Sequence, residues 1–284
     1  MEQISVAAYM GAKCRLAQIL VAMMVYMKAN RYVDLFGGLG NLFIQKPVHE
    51  IEVYNDLDSD LCCLFKQLST GDGRSALVKR ILDFSYSAEV HDKAQEILRS
   101  GLIKSGISEL EYATYVWYDL LTSMNGNKTG AFRGINDKID ENKVKNRILH
   151  KLDMLERFEG VRVTNRNALD VIKEDIQNKE LADRTMYFLD SPYFENNAGY
   201  SHNMVFSKEH EEYCDLVGRL GGYKMVCGYD NPVYQKILVE RYGFYKYLVK
   251  EVAKTMRIGG GDELRAREDE FVWLSYPLKG AYQL

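Results

Sequence analysis

The chain predicts an α/β fold, a parallel-rich sheet interrupted by a long helical insertion. Three observations carry this expectation. Strand and helix patterns alternate from residue 31 to about 68, stop, and resume near residue 161. Tyr187, Phe188 and Leu189 form an apolar run of strand length that ends in Asp190, Ser191, Pro192 and Tyr193. Polar groups therefore sit just past the carboxyl end of a buried strand, the edge at which open α/β sheets place their ligands. Finally, residues 31–34 read as a strand that runs into Gly37, Gly38 and Gly40 and then into a helix.

Taken in order, Tyr9, Gly11 and Lys13 lie in a loop before an amphipathic helix running roughly from Leu16 to Lys28. The strand at 31–34 ends in Asp34, and Asp34-x-Phe36-x-Gly38-x-Gly40 puts glycines where a backbone must approach a ligand closely. The loop has neither the Gly-x-Gly-x-x-Gly spacing nor the Gly-Lys-Ser/Thr of phosphate loops, and Asp34 would repel a pyrophosphate. An acid there suits a cationic ligand instead. The next strand, from Ile51, ends in Asp56 about 20 residues on, where an α/β nucleotide site places its ribose acceptor. Asp58 is the fallback for that role, although Asp58 and Asp60 also suit the solvated first turn of a helix.

From about 69 to 160 the patterns are mainly helical. Ser108 and Glu111 form a capping box that opens a helix to about Met124. Val144, Ile148, Leu152 and Leu155 make a helical stripe ending near Gly160. Strands are expected again at 161–164, 186–189 and 225–227, and a last one from Glu270 to Tyr276. The insertion holds a basic stretch. Residues 128–151 carry seven Lys/Arg and three acids, a balance of +4 that leaves −7 for the rest of a chain whose net charge is −3. Before that stretch, Asn125 to Arg133 is a polar, basic, glycine-containing loop.

Composition narrows the classes. A chain of 284 residues with 46% hydrophobic content supports one large domain or a domain with an insertion. The early apolar run from Ile19 to Met27 is 9 residues, too short to span a bilayer, and no signal peptide is expected. The five cysteines form no Cys-x-x-Cys pair and the five histidines are scattered. Reduced core thiols in a cytoplasmic protein, and no metal site, are the expectation.

Asp190 to Tyr193 suits one task, holding the exocyclic amine of a flat base. Asp190 can accept one N–H, the Ser191 carbonyl the other in a conformation restricted by Pro192, and Tyr193 offers a stacking face. The order Tyr-x-Gly-x-Lys, Asp-x-Phe-x-Gly-x-Gly, Asn55-Asp56 and Asp-Ser-Pro-Tyr resembles the Dam-type (D12 class) DNA adenine-N6 methyltransferases. Tyr200, Phe206 and His210 follow at family spacing, as do Arg257 and Gly259 to Gly261 before the last strand. The resemblance implies a Rossmann-like class I S-adenosylmethionine-dependent methyltransferase sheet with a helical DNA-recognition insertion. It divides the chain into a catalytic domain over 1–68 and 160–284 and a target-recognition insertion over 69–159.

The same resemblance implies roles. Asp190, Ser191, Pro192 and Tyr193 would hold the adenine. Tyr9, Gly11, Lys13, Asp34, Phe36, Gly38, Gly40, Asp56 and Asn167 would bind S-adenosylmethionine. Asn125 and Arg133 would contact bases and Lys128, Lys138 and Lys145 phosphates, with Tyr200 and Arg257 also on the nucleic acid. The partner would be duplex DNA, the adenine flipped out of the stack, and the enzyme a monomer needing no membrane or metal. A methyltransferase acting on RNA adenine or on a protein glutamine, or a lapsed enzyme acting as a DNA-binding regulator, is the alternative. This chain departs from the family at three points. Ser191 fills the first proline slot, Asn167 stands where an acid is frequent, and Ala8 stands where lysine is frequent, so a GATC target is not implied.

Overall fold

A computed structural model describes residues 6–7, 16–24, 29–126, 128–134, 139–192, 207–253 and 267–278. A mixed sheet of seven strands runs in the order β3-β2-β1-β4-β5-β7-β6, where β1 is Arg31–Asp34, β2 Ile51–Asn55, β3 Arg162–Thr164, β4 Thr185–Leu189, β5 Tyr223–Tyr229, β6 Tyr245–Ala253 and β7 Arg267–Leu274. The α/β reading holds, with the parallel part central and an antiparallel pair at one end. The chain divides into two compact units, the first comprising 1–21, 37–48 and 52–166 and the second 22–36, 49–51 and 167–284.

In the second unit, β1 pairs parallel with β4 and β4 parallel with β5. Every residue of β1 and β4 is buried, as expected for strands covered on both faces. Arg31 is held in this interior by Asp175 at 2.8 Å, and Tyr187 donates to the same carboxylate oxygen at 2.7 Å. The expected last strand is β7, which begins earlier than the sequence pattern and is antiparallel to both β5 and β6. Strand β6 carries no clear signal in the sequence. Its run of Tyr, Lys and Val does not alternate cleanly, and its pairing shifts register between Leu248 and Lys250. Helix α9 (Ala168–Gln177) and α10 (Lys179–Asp183) precede β4, and α11 (Ser207–Arg219) precedes β5. After β5, Asn231 caps α12 (Pro232–Tyr234), which continues with π spacing over Gln235–Arg241.

Lys224 on β5 is 7% exposed and donates to the Leu220 carbonyl at 2.5 Å. Burial pulls its ammonium down to about 8. The folded value lies below the unfolded one, so between about pH 8 and 10.4 the unfolded chain holds the proton that the folded chain has released, and stability rises with pH. Lys224→Met is expected to raise stability at pH 7 by ~1–3 kcal/mol and to flatten that rise. Urea titrations at pH 7 and pH 10 check both.

Helix α1 is Ala17–Met24. Helix α2 (Asn41–Gln45) follows the glycine loop, and α3 (Ser59–Leu68) packs Phe65 on Tyr54 at 4.4 Å between centroids. The first unit's β2 and β3 pair parallel. From 69 to 159 the described residues form α4 (Gly71–Asp83), α5 (Ala88–Ser105, broken at Gly101), α6 (Glu109–Thr122), a short 3₁₀ turn, α7 (Glu141–Leu149) and α8 (Leu152–Glu156). Ser108 caps α6 by accepting from the Glu111 amide, as its sequence box predicts. The apolar stripe from Val144 to Leu155 spans two helices rather than one, because the chain turns at His150 and Lys151. Val144, Ile148 and Leu155 are nonetheless buried. Cys62, Cys63, Cys214 and Cys227 are buried free thiols, and burial pushes Cys62 and Cys63 up to about 12, far from the thiolate form.

Candidate active site

Within the second unit the sheet brings two of the singled-out acids to one edge. Asp34 ends β1 and lies in register with Phe188 of β4, and Asp190 follows one residue after that strand. The backbone of Leu35 continues the ladder by donating to the Phe188 carbonyl at 3.1 Å. Asp34 is 2% exposed, Asp190 is half-buried, and one Asp190 carboxylate oxygen is fully enclosed. Phe36 packs edge-on against Tyr213 of α11 at 6.0 Å. Ser191 is buried and its hydroxyl lies 3.3 Å from that of Tyr234. Tyr193 and Tyr200 lie outside the described residues, as do Tyr9, Gly11, Lys13, Lys138 and Arg257, together with the side chain of Asn125.

Within the first unit the glycine loop and the end of β2 form one hydrogen-bonded turn. Asp56 accepts from the Gly38 amide on one oxygen and from the Asp58 amide on the other, each at 2.8 Å. Tyr54 donates to the Gly38 carbonyl at 2.7 Å. Burial raises the Asp56 carboxyl above the ordinary value, while the amides of Asp58 and Gly38 work the other way. Gly38 and Gly40 both adopt positive φ, 50° and 60°. The glycines answer to the protein's own packing as well as to any ligand. A Cβ on Gly37 would come within 2.2 Å of the Tyr54 ring, and one on Gly40 within 2.8 Å of Phe158. Asp58 caps α3 and Asp60 lies in its first turn, as expected, but the pair is not solvated: Asp58 is buried and both carboxylates face Lys128.

Asn167 caps α9, its side-chain oxygen accepting from the Leu169 amide. One lone pair of that oxygen is therefore already engaged, and only the second remains for a ligand.

The loop from Asn125 to Arg133 is the tip of a hairpin. Ser123 bridges Phe132 antiparallel, Met124 donates to the Ala131 carbonyl, and Arg133 donates to the Thr122 carbonyl, both at 2.8 Å. Buried groups of α5 and α6 fasten it. Asp119 accepts from the Thr129 amide at 2.9 Å and the Ser123 hydroxyl at 3.0 Å, while His91 and Gln95 both reach the Gly130 carbonyl. His91, Gln95 and Asp119 are not legible as partners in the sequence, since a histidine and an acid on separate helices carry no spacing signal. Lys128 places its ammonium between Asp58 and Asp60 at 2.5 and 2.7 Å, and Lys145 pairs with Glu141 at 3.1 Å. Two of the three cations expected on phosphates are thus already matched by carboxylates, and the third, Lys138, lies outside the described residues. Arg133 is half-buried, and burial together with the charge of Arg147 lowers its guanidinium.

The mixed α/β sheet, with an acid just past the carboxyl end of the buried strand β4, is consistent with a methyltransferase fold. The model of the D12 class N6 adenine-specific DNA methyltransferase family matches residues 9–256, and the chain belongs to that family. No curated protein matches it. The chain is therefore an adenine-specific DNA methyltransferase, an enzyme that takes a methyl group from a donor and acts on DNA. Among the described residues no group of His, Cys, Asp and Glu could hold a metal ion, and no helix is long and apolar enough to cross a membrane.

Proposed function

We propose that the protein transfers a methyl group from S-adenosylmethionine to the N6 amine of an adenine extruded from duplex DNA at a defined sequence. The observation that carries this is the placement of Asp190 and Ser191 immediately past a fully buried strand, on the edge that also holds Asp34. What supports the cosubstrate reading is found in each unit by itself. In the second, Asp34 is an acid at the end of β1; in the first, Asp56 has a lone pair on each oxygen beyond its amide contacts, as ribose hydroxyls would need, and Gly38 and Gly40 hold the turn at positive φ. Tyr9, Gly11, Lys13, Phe36 and Asn167 complete the proposed set.

When bound, S-adenosylmethionine supplies an electrophilic methyl. The chain itself does the rest by positioning. The Asp190 carboxylate and the Ser191 carbonyl accept the two amine hydrogens, Pro192 restricts the backbone, and Tyr193 offers the stacking face. The nitrogen lone pair is then turned out of the ring plane, and Asp190 offsets the positive charge that grows on the nitrogen. Extrusion costs a few kcal/mol, of which stacking returns about 1–3. Residues 69–159 are proposed as the target-recognition insertion, with the 123–133 hairpin as its reading element and Tyr200 and Arg257 as further nucleic-acid contacts. The test is to express the protein in a host free of adenine methylation and map modified bases in its DNA. N6-methyladenine confined to one short sequence is the expected result, and unmodified DNA overturns the reading.

Arg133 carries the base-reading part of this proposal. It closes the hairpin by its backbone and has no carboxylate partner among the described contacts, unlike Lys128 and Lys145. Arg133→Ala is expected to cost about 1–3 kcal/mol in binding and to relax discrimination at one base pair. Affinities for cognate and single-mismatch duplexes check it; unchanged discrimination would remove the hairpin as the reading element.

A further inference from the structure

We propose that Ser191 is a positioning residue whose side chain, through Tyr234 and His210, holds the backbone that presents the amine acceptors. This rests on the reading of Asp190 to Tyr193 as the amine-holding segment. The Ser191 hydroxyl lies 3.3 Å from the Tyr234 hydroxyl, which lies 3.4 Å from Nδ1 of His210. All three are enclosed, at 1%, 1% and 0% exposure. The chain of groups is anchored from several elements of the second unit. Tyr234 is fixed by its amide on the Asn231 cap at 2.9 Å and by its ring on Trp273, edge-on at 4.9 Å. Gly228 of β5 leaves the space that this ring occupies, since a Cβ there would lie 3.2 Å from it. His210 stands on α11, its ring 5.9 Å from that of Tyr234.

The physical need follows from the residue type. A proline at position 191 would fix φ by its ring and offer no N–H. A serine leaves the backbone freer, and a looser carbonyl is a poorer acceptor for an amine that must be held in one orientation. The buried hydroxyl chain restores that constraint from the side chain. Burial keeps the Tyr234 phenol far above its usual range, so it stays protonated and has one hydrogen to give. With His210 accepting at Nδ1, Tyr234 donates to the imidazole and accepts from Ser191, which satisfies both hydroxyls in an interior where an unmade bond is costly.

The experiment is a double-mutant cycle on the full chain, reading kcat, KM for cosubstrate and KM for a duplex carrying the mapped site, with thermal melting as the control for folding. Ser191→Ala and Tyr234→Phe are each expected to lower kcat about three- to tenfold with both KM values unchanged, and the double variant to be no worse than the weaker single. Ser191→Pro is expected to restore at least half of wild-type kcat and to make Tyr234→Phe silent. Wild-type kcat in Ser191→Ala, or losses that multiply in the double variant, overturns the proposal. The Ser191→Ala and Tyr234→Phe cycle decides this whether or not the proline variant folds. A wild-type protein that methylates no adenine sinks the amine-holding reading itself, which is a different result from an active enzyme indifferent to Ser191.

Discussion

Asp190→Ala is expected to lower turnover about 10²–10³-fold while leaving cosubstrate and DNA affinity within a few-fold. The carboxylate follows directly on β4, whose five residues are all buried, so its position is set by the sheet and not by a mobile loop. With one oxygen enclosed, the group is partly removed from water before substrate arrives, and its interaction with a developing positive charge is strengthened. The alanine variant keeps the strand, the glycine turn and the hairpin, and loses only the acceptor. Single-turnover rates with a labelled methyl group, alongside equilibrium affinities, make the distinction. A variant retaining more than about a tenth of wild-type turnover would deny Asp190 the role.

Asp56→Ala is expected to fail earlier, at cosubstrate binding, by about 10- to 100-fold in affinity. The carboxylate ties the Gly38 amide to the end of β2 and, on the proposed reading, would also accept from ribose hydroxyls; hydrogen bonds to a charged group are worth ~1.5–3 kcal/mol each. Equilibrium dialysis reads the loss; unchanged affinity would move the pocket elsewhere. The pH dependence has a definite sign. Burial raises this carboxyl, so the ionised form that binds hydroxyls is lost on acidification at a higher pH than for an ordinary aspartate. Gly40→Val is a poorer probe, because a β-branched residue at φ 60° facing Phe158 strains the fold whether or not a cosubstrate is present.

Much of this was legible in the sequence because it depends on local pattern. The apolar run ending in Asp190, the glycine turn after Asp34 and the Ser108 capping box are each written within a few residues. What was not legible depends on groups far apart in the chain. Tyr54 filling the space over Gly37, and Tyr234 beneath Ser191, are partners that only the folded chain brings together. The same holds for charge. Counting lysines identified a basic stretch, but not that Lys128 and Lys145 already face carboxylates. β6 escaped notice because an end strand with a register shift lacks the clean alternation of a half-buried one.

The Lys128 clamp has a consequence for modularity. Helices and hairpin between 69 and 159 look like a cassette that could be exchanged to change the target sequence. Yet Lys128 closes on Asp58 and Asp60, Tyr112 donates to Asp60 at 2.7 Å, and Arg157 makes a two-pronged contact with buried Glu52, all three acids lying outside the segment. Excising the segment would remove these contacts from all three acids, leaving Glu52 in the interior with Lys46 as its cation. A graft from a relative is therefore expected to need residues 52, 58 and 60 carried along with it, or cations of its own where Lys128 and Arg157 stand.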